Sequence, residues 1–499
     1  MRGGNFCTLY LPNSVLSILA IAVEITHDEA VGLGINFSPQ VFMNAPFLTP
    51  NPVSKPRLLQ QLKWVADPIG YMESAARQHP DIFSADIIGS GSNFVFVNTP
   101  EGIQEILTND RKTYAALGGL NRILTPLLGD YSVILIEGDR HKRRRQMLMP
   151  SFHGDRIRTY SQLICDLTEK TLGAIPVGTT FSARTAMQDI SLQVILQAVF
   201  GVFEGGRSQQ LKTSLTKLTE VFASPLSSSS LFFPALQQDW GAWSPWGKFL
   251  RDRQQMDDLI YAEIRDRRTQ PQANRVDILS MMMAAIDDLG QPMTDQELRD
   301  ELATLMFAGH ETTATALSWA LYWIHHQPDI REKLLHELQS ADLSDPMSIV
   351  KLPYLAAVCN ETLRIYPVAM LTFPRVVQEP TELLGYSLEP GIAVVGCIYL
   401  THHREDLYPE PHLFKPERFL ERQYSPYEFL PFGGGVRRCI GEALAQLELK
   451  LVLSTILTRY DLALADTKPE YPRRRGVTLA PANGVKMKMV GKQHSHRVD

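Results

Sequence analysis

The chain contains little cysteine. Its 499 residues include only five cysteines and no Cys-x-x-Cys pair. They are Cys7, Cys165, Cys359, Cys397 and Cys439. Five scattered cysteines exclude a disulfide framework and an iron–sulfur cluster, and they indicate a reducing compartment.

The chain also lacks an excess of charge of either sign. It carries 49 Lys and Arg against 54 Asp and Glu, for a net charge of −5. Because a dedicated nucleic-acid binder usually has a strong basic excess, we expect no nucleic-acid partner. Hydrophobic residues make up 44% and charged residues 21% of the chain, which excludes wholesale disorder.

A long apolar run is missing from the N-terminal region. Val15–Val23 is the apolar run there, and it is too short to cross a bilayer. Residues 1–42 fit a weak signal peptide, a marginal membrane anchor or an extension that is dispensable for activity, and Met43 is an alternative start. We expect residues 43–499 to form a single domain in the cytoplasm, with peripheral or N-terminally anchored membrane association as the alternative.

The hydrophobic pattern predicts a mainly α protein with a small β portion. Residues 82–97 are typical of a β-hairpin around a Gly/Ser turn, and residues 100–366 are mostly helical in pattern. A second β-rich stretch covers 371–400, and a last long helix is expected near 440–460.

One helix should be unusually long. Thr294 and Glu297 form a capping box, and helical character persists to His326, a length of about 48 Å. Gly309 lies in the middle of this helix, where glycine costs roughly 1 kcal/mol relative to alanine. We therefore expect that a neighbouring group needs room beside Gly309.

A glycine-rich loop surrounds one cysteine. Residues 430–441 contain the pattern Phe432-x-x-Gly435-x-Arg437-x-Cys439-x-Gly441. The glycines let the backbone approach a flat ligand, and the free N–H groups of a helix that starts near the cysteine favour a thiolate. These features fit a cysteinate ligand to haem iron, with the loop arginine bonded to a propionate.

With this loop the chain resembles the cytochrome P450 superfamily of haem-thiolate monooxygenases, most closely its soluble cyanobacterial members. The resemblance implies the P450 fold, with haem b between the long central helix and the loop, and Cys439 as the iron ligand. It also implies that one oxygen atom of O2 is inserted into a hydrophobic substrate. Residues 43–499 would then be the catalytic domain.

The middle of the long helix resembles the oxygen-binding motif of the family. Gly309 would leave space for dioxygen, and Thr312, together with Glu311, would deliver protons. His310 occupies a variable position, and we expect it to face solvent or to pack in the core.

A basic segment resembles the haem-contacting helix of the family. His141 and Arg145 would bind the haem propionates, as would Arg375 further along the chain. The basic residues between them have a second expected role. Lys142, Arg143 and Arg144 would face a small acidic electron-transfer protein.

A third resemblance implies a structural network rather than a catalytic one. Glu361 and Arg364, one helical turn apart, would form a buried network with Arg418 that fixes the cysteine loop.

The resemblance also indicates the substrate pocket. Ala308, Val368, Ala369 and Leu371 should line it, as should residues 477–483. The aromatic segment Leu231–Trp246 would either cover the access channel or anchor the lid to the body or to a membrane. We favour a fatty acid or alkane as substrate, with a terpene next.

Electrons should come from outside the chain. About 60 residues follow Cys439, which we expect to be too few for a flavin, nicotinamide or iron–sulfur domain. A ferredoxin with its reductase, or a diflavin reductase, is the expected partner of a monomeric enzyme. The alternatives are a haem-thiolate peroxygenase, isomerase or dehydratase that does not use O2, and a non-enzymatic haem-binding protein.

Overall fold

The computed structural model describes most of the chain from residue 50 onward. The described residues are 50–493, apart from 51, 54–55, 88–93, 153, 202–204, 222–236, 242–243, 270–274 and 276. All of these described residues belong to one compact unit. The predicted extension, 1–42, lies outside the described residues, so the boundary at residue 43 stays a prediction. Within the described ranges, no helix combines the length and the apolar character needed to cross a membrane.

Helices form most of the molecule, as the hydrophobic pattern predicts. Their bounds are α1 Arg57–Ala66, α2 Pro68–Ala76, α3 Pro100–Thr108, α4 Thr125–Leu128, α5 Gly138–Leu148, α6 Asp155–Arg158, α7 Ser161–Gly173, α8 Ala183–Phe200, α9 Gly206–Val221, α10 Pro245–Thr269, α11 Ile278–Ala284, α12 Asp295–His326, α13 Pro328–Gln339, α14 Pro346–Ile349, α15 Pro353–Ile365, α16 Ile398–His402, α17 Arg418–Glu421 and α18 Glu442–Arg459.

The strands are short and come from separate parts of the chain. They are β1 Ile82–Ala85, β2 Phe94–Val97, β3 Tyr114–Ala115, β4 Thr180–Ser182, β5 Arg375–Val377, β6 Thr381–Leu383, β7 Tyr386–Leu388, β8 Ala393–Gly396, β9 Tyr460–Leu464, β10 Pro472–Arg475, β11 Thr478–Pro481 and β12 Lys486–Lys492. A five-stranded sheet has the order β1-β2-β8-β5-β3, and β4-β12-β9 form a second sheet. The hairpins β6-β7 and β10-β11 are separate two-stranded sheets.

The predicted hairpin is confirmed at both of its strands. β1 and β2 pair antiparallel, with Ile82 opposite Val97 and Ala85 opposite Phe94. β2 continues into a parallel pair with β8, so the hairpin joins the predicted β-rich stretch of residues 371–400. All eight residues of β1 and β2 are buried, because the larger sheet packs against helices.

Helix α12 is the predicted long helix, and it is the central element of the largest hydrophobic core. Its 32 residues begin at the capping box of Thr294 and Glu297, in which each side chain bonds the other residue's backbone N–H. Helix α8 packs along it. A Cβ placed on Gly309 would lie 2.9 Å from Cδ1 of Ile195 on α8, so the expectation that a neighbour needs room there is confirmed.

Candidate active site

The cysteine loop is held by its own backbone and leads directly into α18. The N–H of Cys439 donates to the carbonyl of Phe432 at 3.0 Å, which closes the loop. Phe432 is half-buried and packs against the main core. Gly441 is the residue before α18 begins, and no atom lies within 4 Å of the position that its Cβ would take. Packing in the described structure therefore does not require glycine at position 441.

The backbone conformation of Gly435 and its contact with Asp110 require glycine at this position, and the sequence did not reveal that contact. Its φ is +62°, a conformation that side chains disfavour, and a Cβ there would clash with the carboxylate of Asp110. The Oδ2 of Asp110 accepts the N–H of Val436 at 2.7 Å and lies 3.3 Å from Nη2 of Arg375. The buried Asp110 carboxylate thus ties the loop to β5, and no sequence motif pointed to it.

Cys439 is exposed, yet protein surrounds it. Burial among these groups raises the pKa of its thiol. The side chain is therefore accessible although many protein atoms lie around it. A hydrogen bond from the Gly441 backbone and the cations of Arg145 and Arg438 oppose the effect of burial and favour the thiolate.

Three arginines and a histidine gather beside this loop, and we call them the cation cluster. They are His141, Arg145, Arg375 and Arg437. Burial lowers the pKa of His141 to about 3, and the neighbouring cations of the cluster lower it further in the same direction. The cluster therefore holds its histidine neutral.

The two most buried arginines of the cluster donate mainly to backbone carbonyls. Arg437 is 8% exposed and donates to the carbonyls of Val133, Ala116 and Ile136 at 2.7 to 2.8 Å. Burial, followed by the charge of Arg375, lowers the pKa of Arg437 to about 10. Carbonyls satisfy its donors without neutralising its charge.

Arg375 is the second of these arginines and is almost fully buried. It donates to the carbonyls of Phe373 and Gly434, at 2.7 and 3.2 Å, and pairs with Asp110. Its Nε is buried and has no hydrogen-bond partner among the described residues. The Asp110 carboxylate is the one acidic group within ion-pair distance of the cluster in the described part of the chain.

His141 and Arg145 share one face of α5, but the prediction for Arg144 is wrong. Arg144 is 4% exposed and forms ion pairs with Glu297 and Glu301 of α12, at 2.5 and 3.0 Å. His141, Arg144 and Leu148 are the buried residues of α5, at spacings of three and four. Arg144 therefore faces the protein interior and is not available to an electron-transfer partner.

The rest of the basic segment divides according to the same periodicity. Lys142 is exposed, and Arg143 is half-buried with its Nε 3.7 and 3.8 Å from the carboxylates of Asp287 and Asp288. An open cavity of about 580 Å³ borders the face of α5 that carries His141, Lys142 and Arg145. Its lining residues are Thr108, Asp110, Arg111, His141, Lys142, Arg145, Gln146, Met149, Gly435 and Val436.

The middle of α12 presents Thr312 and Ala308 on one face. The Thr312 hydroxyl donates to the carbonyl of Ala308 at 2.5 Å, one turn earlier. Ala308 is exposed although its neighbours in α12 are mostly buried, and Thr312 is half-buried. An exposed alanine in the middle of a core helix indicates open space on that side.

The opposite side of α12 contacts α8. The carbonyl of Gly309 accepts the Ser191 hydroxyl at 3.2 Å, and the missing Gly309 side chain is replaced by Ile195. Contact with α8 is therefore sufficient to explain the glycine. His310 is 2% exposed, so of its two expected environments the structure shows core packing. Burial lowers its pKa.

Glu311 has two partners that the sequence did not reveal. Arg184 of α8 forms an ion pair with Oε1, and the side chain of Gln188 donates to Oε2 at 2.8 Å. Both carboxylate oxygens are thus engaged by α8. The structure does not record a contact between Glu311 and Thr312, although the two residues are adjacent in sequence.

The structure places the three residues of the expected network together. Glu361 and Arg364 are fully buried, with two hydrogen bonds of 2.7 and 2.8 Å between them, and Arg418 donates to Glu361 at 3.2 Å. The backbone N–H of Lys415 donates to Oε1 of Glu361, and Arg364 also donates to the carbonyl of His402.

The expected pocket edge lies next to the β10-β11 hairpin. Val368 is 9% exposed, Ala369 is exposed and Leu371 is half-buried. The N–H of Leu479 on β11 donates to the carbonyl of Val368, and the indole of Trp319 on α12 donates to the carbonyl of Leu479, both at 2.9 Å. The hairpin is therefore fixed between α12 and the pocket edge.

Much of the expected lid lies outside the described residues, including 231–236 and 242–243. Of its tryptophans, Trp246 is buried and packs against Phe249 with ring centroids 5.0 Å apart, whereas Trp240 is 58% exposed. Trp246 also belongs to the largest hydrophobic core and so anchors the start of α10 to the body of the protein, which was one of the two roles considered for these aromatics.

Comparison with known proteins identifies the family. The family described as Cytochrome P450 matches residues 50–489. A protein named "Putative cytochrome P450 135B1" from Mycobacterium tuberculosis is 35% identical over 420 residues, which cover 84% of this chain and 86% of that protein. "Putative cytochrome P450 138" from the same organism is 32% identical over 449 residues, covering 88% of this chain and 96% of that protein.

A solved structure agrees with this result. The structure titled "Retinoic acid bound cyanobacterial CYP120A1" matches with a TM-score of 0.76 and 25% sequence identity, over 87% of this chain and 96% of that one. The predicted mainly helical P450 fold is therefore confirmed. This chain belongs to the cytochrome P450 family of monooxygenases, which carry haem with a cysteine thiolate ligand and require O2, a substrate and a redox partner.

Proposed function

We propose that the chain oxidises a hydrophobic carboxylic acid, inserting one atom of O2 at haem b held by Cys439. The observation that carries the proposal is the cysteine loop itself, in which the exposed Cys439 lies next to a cluster of buried cations. The family requires a cysteine ligand, and Cys439 is the cysteine within the loop motif.

The residues around the loop fit the propionates of haem b. Arg375 has a buried Nε without a hydrogen-bond partner in the described structure, and the cation cluster has three arginines against the single carboxylate of Asp110. Buried cations are costly unless they are paired, so two carboxylates there would be strongly favoured. We propose that His141, Arg145, Arg375 and Arg437 bind them.

When bound, thiolate-ligated haem supplies the reduction and cleavage of O2. The protein's part is to hold the thiolate, to exclude water and to supply protons. Thr312 is suited to handling a proton, because its hydroxyl is anchored on the carbonyl of Ala308 and faces the open side of α12. Ala308 leaves room on that side, and we propose that dioxygen occupies the space; Gly309 instead faces α8, where Ile195 fills the place of its missing side chain.

Glu311 is the proposed source of the proton for Thr312. The carboxylate of Glu311 is held in place by Arg184 and Gln188, which engage both of its oxygens. To pass a proton to Thr312, this carboxylate must therefore leave Arg184 during turnover and first take up a proton from water. Retention of this pair favours an enzyme that reduces O2 over one that only isomerises or dehydrates.

Two lines of reasoning support a carboxylic acid substrate. Val368, Ala369, Leu371 and Ala308 give the proposed pocket an apolar edge, which suits a long aliphatic chain. The structural neighbour is described as retinoic acid bound, and retinoic acid is an isoprenoid chain that ends in a carboxylate. A fatty acid and a terpenoid acid share that chemistry, whereas a plain alkane lacks it.

The redox partner is proposed to be an acidic protein, either a ferredoxin or a diflavin reductase. Arg111 and Lys142 are exposed and line the cavity beside the cysteine loop, Lys112 is exposed next to Arg111, and Arg438 is exposed next to Cys439 and pairs with Glu442. A basic face next to the iron site would steer an acidic partner toward it.

Reduced, CO-bound protein tests the assignment of the ligand. We expect the strongly red-shifted Soret band of thiolate ligation, and we expect Cys439→Ala to abolish it. Turnover of dodecanoate with NAD(P)H, O2 and a ferredoxin system should exceed turnover with peroxide alone. Oxidation by peroxide alone at an equal or higher rate would identify a peroxygenase instead.

A further inference from the structure

Arg475 ends β10 at the turn of the hairpin that lies between α12 and the pocket edge. Its carbonyl accepts the Thr478 hydroxyl at 3.0 Å, and the exposed Val477 sits at the tip of the turn. β11, which pairs with β10, is bonded to Trp319 of α12 and to Val368 of the pocket edge. The hairpin turn is therefore held in place by elements on both sides of the proposed pocket.

The guanidinium of Arg475 has no anionic partner of its own. Among the described residues no carboxylate lies within ion-pair distance of it, and its Nε is buried without a hydrogen-bond partner. Burial lowers its pKa, and the nearby cation of Arg184 acts in the same direction. Binding of a carboxylate would stabilise a partly buried arginine that has no anionic partner.

The nearest acidic group is already shared. Glu311 interacts with Arg475 at longer range, but its two oxygens are bonded to Arg184 and Gln188. Arg184 also has a buried Nε without a partner in the described part of the chain. Two guanidiniums thus share one carboxylate, which leaves one positive charge and two buried N–H donors beside the middle of α12.

We propose that Arg475, with Arg184 beside it, binds the carboxylate of the substrate and so selects hydrophobic acids over neutral molecules of the same shape. The inference rests on the proposed function, since it assigns a substrate contact within the same site. Repulsion by Glu311 is small because the cation of Arg184 pairs with that carboxylate. Val368, Ala369 and Leu371, which form the rest of the proposed pocket edge, are apolar and cannot pair with a carboxylate. We therefore place the carboxylate of the substrate at Arg475.

The test compares dodecanoate with dodecan-1-ol, which has the same chain without the charge. Binding of each ligand to the haem-loaded protein is measured by isothermal calorimetry and by the shift in the haem absorption spectrum. In Arg475→Gln, we expect the dissociation constant for dodecanoate to rise by about tenfold or more, because a charged hydrogen bond is lost. The constant for dodecan-1-ol should change less than about twofold.

Two further variants control for charge and for folding. Arg473 is exposed on the same strand and acts on Arg475 only through its charge, so Arg473→Gln should change both constants by less than about twofold. Arg475→Lys keeps the cation and should retain the preference for the acid, even if Arg475→Gln folds poorly.

The outcomes separate the two proposals. Equal weakening of both ligands in Arg475→Gln, loss of the preference in Arg475→Lys, or failure of dodecanoate to bind the wild-type protein would overturn the carboxylate site. Absence of the thiolate Soret band in the reduced, CO-bound wild-type protein would overturn the proposed function instead. A wild-type enzyme that carries that band and oxidises acid and alcohol equally well would lose only the carboxylate site.

Discussion

The molecule contains two groups of buried arginines that differ in how their charge is balanced. In the Glu361 network, each guanidinium nitrogen of Arg364 and Arg418 donates to a carboxylate or to a carbonyl. In the cation cluster, the Nε of Arg375 has no partner among the described residues, and its three arginines are matched by one carboxylate.

The difference separates a group that determines the fold from a group that remains ready for a ligand. A buried ion network with all its donors satisfied fixes the relative positions of its elements, here α15, α16 and α17. A cluster with surplus charge carries an electrostatic cost that only an added anion removes. Substitutions in the Glu361 network should therefore lower the free energy of unfolding, whereas substitutions in the cation cluster should weaken haem binding.

Glu361→Gln should have the largest effect. It leaves the guanidiniums of Arg364 and Arg418 buried without their carboxylate, and breaking such a pair costs about 3–5 kcal/mol. We expect a loss of that size in the free energy of unfolding, measured by denaturant titration.

The matched control is an exposed ion pair in the same part of the chain. Asp406 is 61% exposed and pairs with Arg404, which keeps a second partner in Asp81. Asp406→Asn should cost less than about 1 kcal/mol. Similar losses in both variants would show that the buried network does not determine the fold.

Arg145→Gln should weaken haem binding and leave the stability of the haem-free protein almost unchanged. Arg145 is half-buried and has no ion pair among the described residues, so its removal should change the unfolding free energy of the haem-free protein by less than about 1 kcal/mol. The affinity for haem should fall about tenfold or more, because one charged hydrogen bond to a propionate is lost. Transfer of haem to a scavenging protein measures this affinity.

Arg143→Gln is the control on the same helix. Arg143 faces Asp287 and Asp288 rather than the cysteine loop, so haem retention should be unchanged. If Arg145→Gln destabilised the haem-free protein as much as Glu361→Gln does, the contrast between the two groups would disappear.

The same contrast explains which features the sequence predicted. The loop around Cys439 and the capping box of α12 are local patterns, since the interacting residues are at most a few positions apart. Their chemistry could therefore be predicted from the sequence alone. The hairpin of residues 82–97 and the helix that begins at Glu442 were predictable for the same reason.

Contacts between distant segments were not predictable. Asp110 bonds Val436 across 326 positions, and Arg184 reaches Glu311 across 127. Only packing determines which acidic group meets which cation, so no local pattern pointed to either pair. Arg144 is a different case, because its spacing from His141 and Leu148 already placed it on the buried face of α5.

His402 offers a smaller effect, visible in the dependence of stability on pH. Burial, with the nearby charge of Arg364, lowers its pKa to about 3, and its Nε2 accepts the N–H of Leu430 at 3.1 Å. An unfolded histidine has a pKa of about 6.5, so between these values the unfolded chain binds more protons. Stability should therefore fall as the pH falls from about 6.5 toward 3, by up to about 1.4 kcal/mol per pH unit for this residue.

His402→Gln keeps an acceptor for Leu430 and should reduce this slope, measured as the unfolding free energy at pH 7 and pH 5. His141 also has a pKa of about 3, but the cations that contribute to its shift are mainly those of the cation cluster. Propionates would offset those cations, so haem should reduce the contribution of His141 to the slope and leave that of His402 unchanged. An equal change at both histidines would mean that the cation cluster does not receive the propionates.

Thr312→Ala should have the smallest effect on the fold. It removes one hydrogen bond of 2.5 Å to Ala308, which costs about 1 kcal/mol or less at a half-buried position. Haem content should stay normal, while product formed per NAD(P)H consumed falls several-fold and hydrogen peroxide rises. The reason is that the hydroxyl on the open side of α12 is the proposed proton donor.

Ser318→Ala distinguishes this role from a general effect on the helix. The Ser318 hydroxyl makes the same bond one turn back, to the carbonyl of Ala314 at 2.6 Å, but it is fully buried in the core. Ser318→Ala should therefore lower stability at least as much as Thr312→Ala without changing the ratio of product to peroxide. Equal uncoupling in both variants would assign the effect to the geometry of α12. Uncoupling in Thr312→Ala alone would assign it to the hydroxyl, and would place this group, like the cation cluster, among those that the fold leaves available for chemistry.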